Sequence, residues 1–181
     1  STVTGEHLAV AAFGGSIGAD NDVNITNAGT LTSNQAGGAP FGAPGPIPTV
    51  FALTDGDITI NNNATGTIGQ TGQDTDLIIA ASSYIIGPGT PDSVIVNNSG
   101  DMIGRVALNA DGTGTTTVNN QAGGLWDTAG LNTFTGATNT VNNAGTIEAD
   151  GAATGTGFDL TIFAGLTNFN NQAGGTLTTV D

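Results

Sequence analysis

One phrase recurs along this chain and limits what it can fold into. It reads TVNNAGTI from Thr140, ITNAGTL from Ile25, VNNSGDM from Val96, VNNQAGGLW from Val118 and FNNQAGGTL from Phe169. An apolar residue leads into asparagine, then a small residue and glycine, then a second apolar residue. In a short form the apolar residues stand six apart, at Ile25–Leu31, Val96–Met102 and Val141–Ile147. In a long form they stand eight apart, at Ile60–Ile68, Val118–Trp126 and Phe169–Leu177. A self-similar unit of this size is the mark of a repeat architecture. The second asparagine of each pair serves as the register mark. The marks are Asn27, Asn63, Asn98, Asn120, Asn143 and Asn171, separated by 36, 35, 22, 23 and 28 residues.

Between the turns lie short apolar stretches: HLAVAAF from His7, VFAL from Val50, DLIIAA from Asp76, VALN from Val106, LNTFT from Leu131 and FDLTIF from Phe158. Their alternation is that of half-buried strands, and it places Phe158, Leu160 and Ile162 on one side. No stretch holds a 3.6-residue period. A unit of about 22 residues, two or three strands and polar turns, fits one coil of a parallel β-helix, each coil stacking on the last at about 4.8 Å. The longer intervals contain Pro/Gly clusters, SNQAGGAPFGAPGPIPT at 33–49 and GPGTPDS at 87–93. Proline cannot donate to a ladder, so these are loop insertions. The expectation is an all-β, single-domain parallel β-helix (β-solenoid) over residues 1–181, with about six to eight coils. The rival is an antiparallel sandwich with hairpins at the Asp-Gly pairs starting at Asp55, Asp111 and Asp150. Against it, no asparagine is followed directly by glycine, the strongest hairpin signal.

Charge narrows the partners. The chain carries 15 acidic residues, one arginine (Arg105), no lysine and one histidine (His7), for a net charge of −14. Nucleic-acid phosphates need several cations, so nucleic acid is excluded, as are anionic membrane surfaces. Neutral glycans, cationic partners and divalent ions remain. There is no cysteine, hence no disulfide framework. No apolar run reaches the roughly 20 residues of a membrane helix. The opening STVTGEHLAV lacks an initiator methionine and a signal sequence, and reads as a mature or excised segment.

VNNAGTI, ITNAGTL and VNNSGDM resemble the degenerate repeats of bacterial autotransporter passengers and related surface adhesins, over about Val23 to Leu177. The translocator barrel of that family is not in this sequence. The resemblance implies a right-handed β-helix and an extracellular or cell-surface location.

The residues do not point to an enzyme. A lone Arg105 and an absent lysine leave no basic set for lyase chemistry. Trp126 and Tyr84 are single residues, too few for a sugar platform. His7 has no nucleophile-elbow sequence to serve. Asp20/Asp22, Asp55/Asp57 and Asp74/Asp76 are candidate Ca²⁺ ligands, since Asp and turn carbonyls suit that ion. The competing reading is that they are solvated turn residues. Solenoid ends expose unpaired strands, so candidate self-association residues are Leu8, Val10, Leu177 and Val180 near the termini, with Phe41 and Ile47 on the Pro-rich loop. Head-to-tail or strand-exchange association through a non-closing contact would build a filament. The expected role is a self-associating extracellular subunit of a filament, matrix or surface layer. The alternative is an adhesin or passenger stalk that binds a host or glycan ligand through loops.

Overall fold

The structure, a computed structural model, describes residues 1–5, 8–14, 21–33, 47–73, 76–83, 92–150 and 160–180. Among these the chain forms strands only, and every described strand pair is parallel. The first coil is β1 (Thr2–Gly5), β2 (Val10–Phe13) and β3 (Val23–Asn27). The second is β4 (Thr30–Ser33), β5 (Val50–Thr54) and β6 (Ile58–Asn62), and the third β7 (Thr67–Gly69), β8 (Leu77–Ser83) and β9 (Ser93–Asn98). The fourth is β10 (Asp101–Ile103), β11 (Arg105–Asn109) and β12 (Thr115–Asn120), and the fifth β13 (Leu125–Asp127), β14 (Gly130–Thr135) and β15 (Thr138–Asn143). The sixth is β16 (Thr146–Asp150), β17 (Thr161–Ala164) and β18 (Asn168–Asn171), after which β19 (Thr176–Val180) opens a seventh.

Each strand pairs with its counterpart one coil away. Sheet A is β1-β4-β7-β10-β13-β16-β19, sheet B is β2-β5-β8-β11-β14-β17 and sheet C is β3-β6-β9-β12-β15-β18. The protein is thus a three-sheet parallel β-helix. The apolar stretches between the phrases build sheet B, and the phrases themselves build sheet C, the corner after it and sheet A.

Register turns the sequence repeat into columns of like residues. In sheet C, Ile25, Ile60, Val96, Val118, Val141 and Phe169 stack in one inward column. In sheet A the column is Val3, Leu31, Ile68, Met102, Trp126, Ile147 and Leu177. β-Branched side chains suit such a pleated, close-packed wall, and each fully buried one contributes roughly 1.5–3 kcal/mol. In sheet B the column grows along the axis, from Ala12, Ala52 and Ala81 to Leu108 and Phe134. Larger side chains then fill the upper coils. Trp126, Phe134, Phe163 and Phe169 form a chain of ring contacts with centroids 5.4–6.2 Å apart. The fully buried indole Nε1 of Trp126 donates to the Gly104 carbonyl at 3.0 Å, meeting the need of a buried polar handle.

Three expectations are corrected here. Leu160 and Ile162 do not point into the core; they are 54% and 44% exposed. Phe163 is the inward residue, because Asn132↔Phe163 and Leu131↔Ile162 set the register; Phe158 lies outside the described residues. Ile47 is not an exposed docking residue. It is 8% exposed, and beside it the Thr49 hydroxyl meets that of Ser33 at 2.9 Å, closing the base of the Pro-rich loop. The insertions are also shorter than their sequence bounds: Ser33 ends β4 and Ser93 begins β9. The second loop closes through Ser83 Oγ, which donates to Asp92 Oδ2 at 2.8 Å.

The register between β8 and β11 shifts after Arg105, where Ile78 is an extra residue on β8. On the opposite edge of β11, just ahead of its pairing with β14, Val106 N donates to the buried Asn132 Oδ1 at 2.8 Å.

Candidate functional site

The corner from sheet C to sheet A carries the recurring phrase, and its physics starts with one amide. Each strand of sheet C ends on an inward asparagine that two-residue alternation places directly after the core column. Asn27 Nδ2 donates to Asn62 Oδ1, Asn62 to Asn98, Asn98 to Asn120, Asn120 to Asn143 and Asn143 to Asn171, at 2.8–2.9 Å. These amides are buried from Asn27 to Asn143. Each also donates to the first carbonyl of sheet A one corner further on. The acceptors are Thr67, Asp101, Leu125, Thr146 and Thr176, at 2.8–3.1 Å. One side chain thus holds its neighbour and fixes where the next coil begins. At the base, Asn27 Oδ1 accepts from Gly29 N at 3.1 Å.

The ladder residue of the second coil is Asn62 and not Asn63. Asn27↔Asn62 is the strand register. Asn63 is the exposed first residue of the turn, its carbonyl accepting from Gly66 N at 2.7 Å. Counting two residues on from the apolar anchor Ile60 selects Asn62, whereas counting within the run Asn61-Asn62-Asn63 does not.

A second ladder runs on the outer face. Asn97 Nδ2 donates to Asn61 Oδ1, Asn119 to Asn97, Asn142 to Asn119 and Asn170 to Asn142, at 2.8–2.9 Å. Its donors point down the stack while those of the inner ladder point up. The two amide columns therefore oppose each other's dipoles.

The corner glycine is required for space. Gly145 has no positive φ, but a Cβ there would lie 2.2 Å from Gly124 O, 2.5 Å from Gln121 O and 2.9 Å from Asn120 Nδ2. Gly29, Gly66, Gly100, Gly124 and Gly175 meet similar obstruction. Two of the three long turns add a separate glycine, with φ of 85° at Gly123 and 90° at Gly174, where a left-handed backbone favours it; the first has Thr65 there. Short and long turns alternate strictly up the stack, so each protruding turn stands on a compact one.

The aspartates separate by corner. Asp22 and Asp57 precede β3 and β6 one coil apart, and Asp55 lies just ahead of Asp57. Asp22 Oδ1 accepts from Asp57 N at 3.1 Å. Asp57 Oδ1 accepts from Ser93 N at 2.7 Å and from Ser93 Oγ at 2.8 Å. These carboxylates satisfy the backbone of the next coil. Asp76 stands at a different corner, ahead of β8, and Asp20 and Asp74 lie outside the described residues. Among the described residues no group of three or more His, Cys, Asp or Glu could hold a metal ion.

Burial raises the Asp76 carboxyl above its ordinary 3.8, and the charge of Arg105 draws it partly back. A raised carboxyl favours the folded state fully below the unfolded value, and that advantage is lost as pH rises through the folded value. Asp76→Asn is therefore expected to melt higher than the parent at neutral pH, with the gap shrinking on acidification toward 3.8. Thermal melts across that window check it; a gap independent of pH would contradict it.

Of the end residues, Leu8 is half-buried ahead of β2, and Val10 is half-buried, packing against the core. Leu177 is 52% exposed. Phe41 and the Val180 side chain lie outside the described residues. Leu177, Phe169, Phe163, Leu160 and Ile147 line an open cavity of about 450 Å³ at the C-terminal end.

These features define a parallel β-helix whose turns are locked by buried asparagine. No family model, curated protein or solved structure matches the chain. Among the described residues no helix is long and apolar enough to cross a membrane.

Proposed function

We propose that the chain is a non-enzymatic extracellular β-solenoid that self-associates as part of a filament, matrix or surface layer. The observation that carries this is the open C-terminal cavity with Leu177 at 52% and Phe169 at 37% exposure. Apolar residues of the core columns stand uncovered there. Among the described residues sheet A has one strand more than sheets B and C. The end is therefore stepped, and the step suits a neighbour's extended strand laid over β17 and β18 better than flat end-to-end contact. Strand addition supplies backbone pairing, and alternate side chains fill the cavity.

Copies of net charge −14 repel one another, so divalent cations such as Ca²⁺ enter this reading as counter-charge. In electron micrographs the protein is expected to form filaments at raised concentration. Leu177→Glu, which places a charge at the cavity, is expected to abolish them while leaving the circular dichroism unchanged. Chelating divalent ions is expected to shorten them. Monodisperse rods from the parent protein at every concentration would contradict the proposal and favour the adhesin-stalk reading.

A further inference from the structure

We propose that the outer face of sheet C is a self-recognition surface on which a second copy of this chain docks face to face, pairing solenoids side by side. This rests on the self-association reading and assigns it a second, lateral contact. The six strands VNITN, ITINN, SVIVNN, TTTVNN, TNTVNN and NFNN contain no charged residue. Of the three sheets, sheet C alone has no charge of either sign in any strand. The outer face of sheet A carries Asp101 and Glu148, and Arg105 lies in sheet B.

The outward residues of sheet C form level rows. One is Asn24, Thr59, Ile95, Thr117, Thr140 and Asn168; the next is Thr26 followed by the outer asparagine ladder. A third row, at the strand starts, runs Asp22, Asp57, Ser93, Thr115 and Thr138; its two carboxylates stand at the edge of the first two coils, where they accept from Asp57 N and from Ser93, and the two rows beyond them are uncharged. The ladder hydrogen bonds hold its amides at the strand spacing, so that row is ordered before any partner arrives.

Charge, spacing and area together select a second copy as the occupant. A neutral partner gains little from the absence of carboxylates, whereas a partner that is itself strongly acidic can come into contact only on such a face. An identical sheet also repeats at about the same 4.8 Å, so side chains can interdigitate over all six levels, as stacked Asn and Thr rows do in dry zippers. Finally, six strands of four to six residues present about 500 Å² per copy, or about 1,000 Å² in the pair, at the low end of specific interfaces. A concentration-dependent dimer is the matching outcome.

Sedimentation equilibrium of the full chain tests this. The parent is expected to dimerise, and Leu177→Glu to dimerise equally, because the end of the solenoid is not involved. Thr117→Glu, at the centre of the face, is expected to weaken the dimer by at least about tenfold, since like charges meet at a self-complementary contact. Thr138→Glu, at an exposed position on the same face, is the second variant if Thr117→Glu fails to fold. Thr32→Glu on sheet A is expected to change nothing. A parent that stays monomeric at all concentrations would overturn the inference, as would equal behaviour of Thr117→Glu and Thr32→Glu. A dimer broken by Leu177→Glu and untouched by Thr117→Glu would also overturn it. Filaments missing from micrographs while this dimer persists would count against the end contact alone.

Discussion

Asn120→Leu should lower unfolding stability by about 3–5 kcal/mol, because the change strips one rung from the middle of the buried ladder. Asn120 Oδ1 accepts from Asn98, and its Nδ2 donates to Asn143 Oδ1 and to the Thr146 carbonyl. Leucine leaves Asn143 Oδ1 and the Thr146 carbonyl without that donor. It also costs Asn98 one of its two strong acceptors, the other being the Leu125 carbonyl. An orphaned buried polar group costs about 1–3 kcal/mol, and the added apolar surface offsets only part of that. The adjacent Asn119→Leu is the internal comparison. Its amide is only half-buried, so water can replace the lost partners and the cost should stay below about 1.5 kcal/mol. Urea titrations of the two variants read the difference. Equal losses would mean that burial of the ladder is not what makes it stabilising.

Gly145→Ala should destabilise by about 3 kcal/mol or more, beyond the usual cost of an added methyl in a packed site. The new Cβ meets two carbonyl oxygens of the turn below and the Asn120 amide nitrogen. Two of the three obstacles are backbone, which cannot swing aside as the end of a side chain can. The coil would have to lift, stretching the rung between Asn120 and Asn143. Gly123→Ala in the neighbouring long turn makes the contrast. Its φ is 85°, but nothing lies within 4 Å of an added Cβ, so only the left-handed penalty of about 1–2 kcal/mol applies. If thermal melts rank Gly123→Ala as the more damaging, conformational freedom and not close stacking explains the recurrent corner glycine.

Much of this architecture could be read from the sequence, because a stacked coil repeats its own constraints. Val141 and Ile147 had to face inward on consecutive strands, and the asparagine after each anchor had to meet its counterparts above and below. Where reading failed, the cause was parity. Asn61, Asn62 and Asn63 are chemically identical, and only the alternation from Ile58 and Ile60 decides which one points inward. Phe158 to Phe163 offered two apolar alternations, and pairing with β14 chose Phe163. Ile47 sits among prolines and reads as loop, yet the hydroxyl contact between Ser33 and Thr49 draws that end of the segment onto the core. The role of Asn132 depends on the backbone N–H of Val106 one coil below it and has no local sequence signal. The uncharged rows of sheet C become visible only once register aligns six strands drawn from residues 23–171.

The asparagine phrase encodes folding, through a buried amide ladder that locks each turn to the next. Hydrogen exchange of the side-chain amides of Asn98 and Asn120, followed by NMR in the native protein, tests it most directly. Protection close to that of the backbone amides of β9 and β12 is expected, while the Asn63 side chain in its exposed turn exchanges freely. Exchange of Asn98 and Asn120 as fast as that of Asn63 would contradict it.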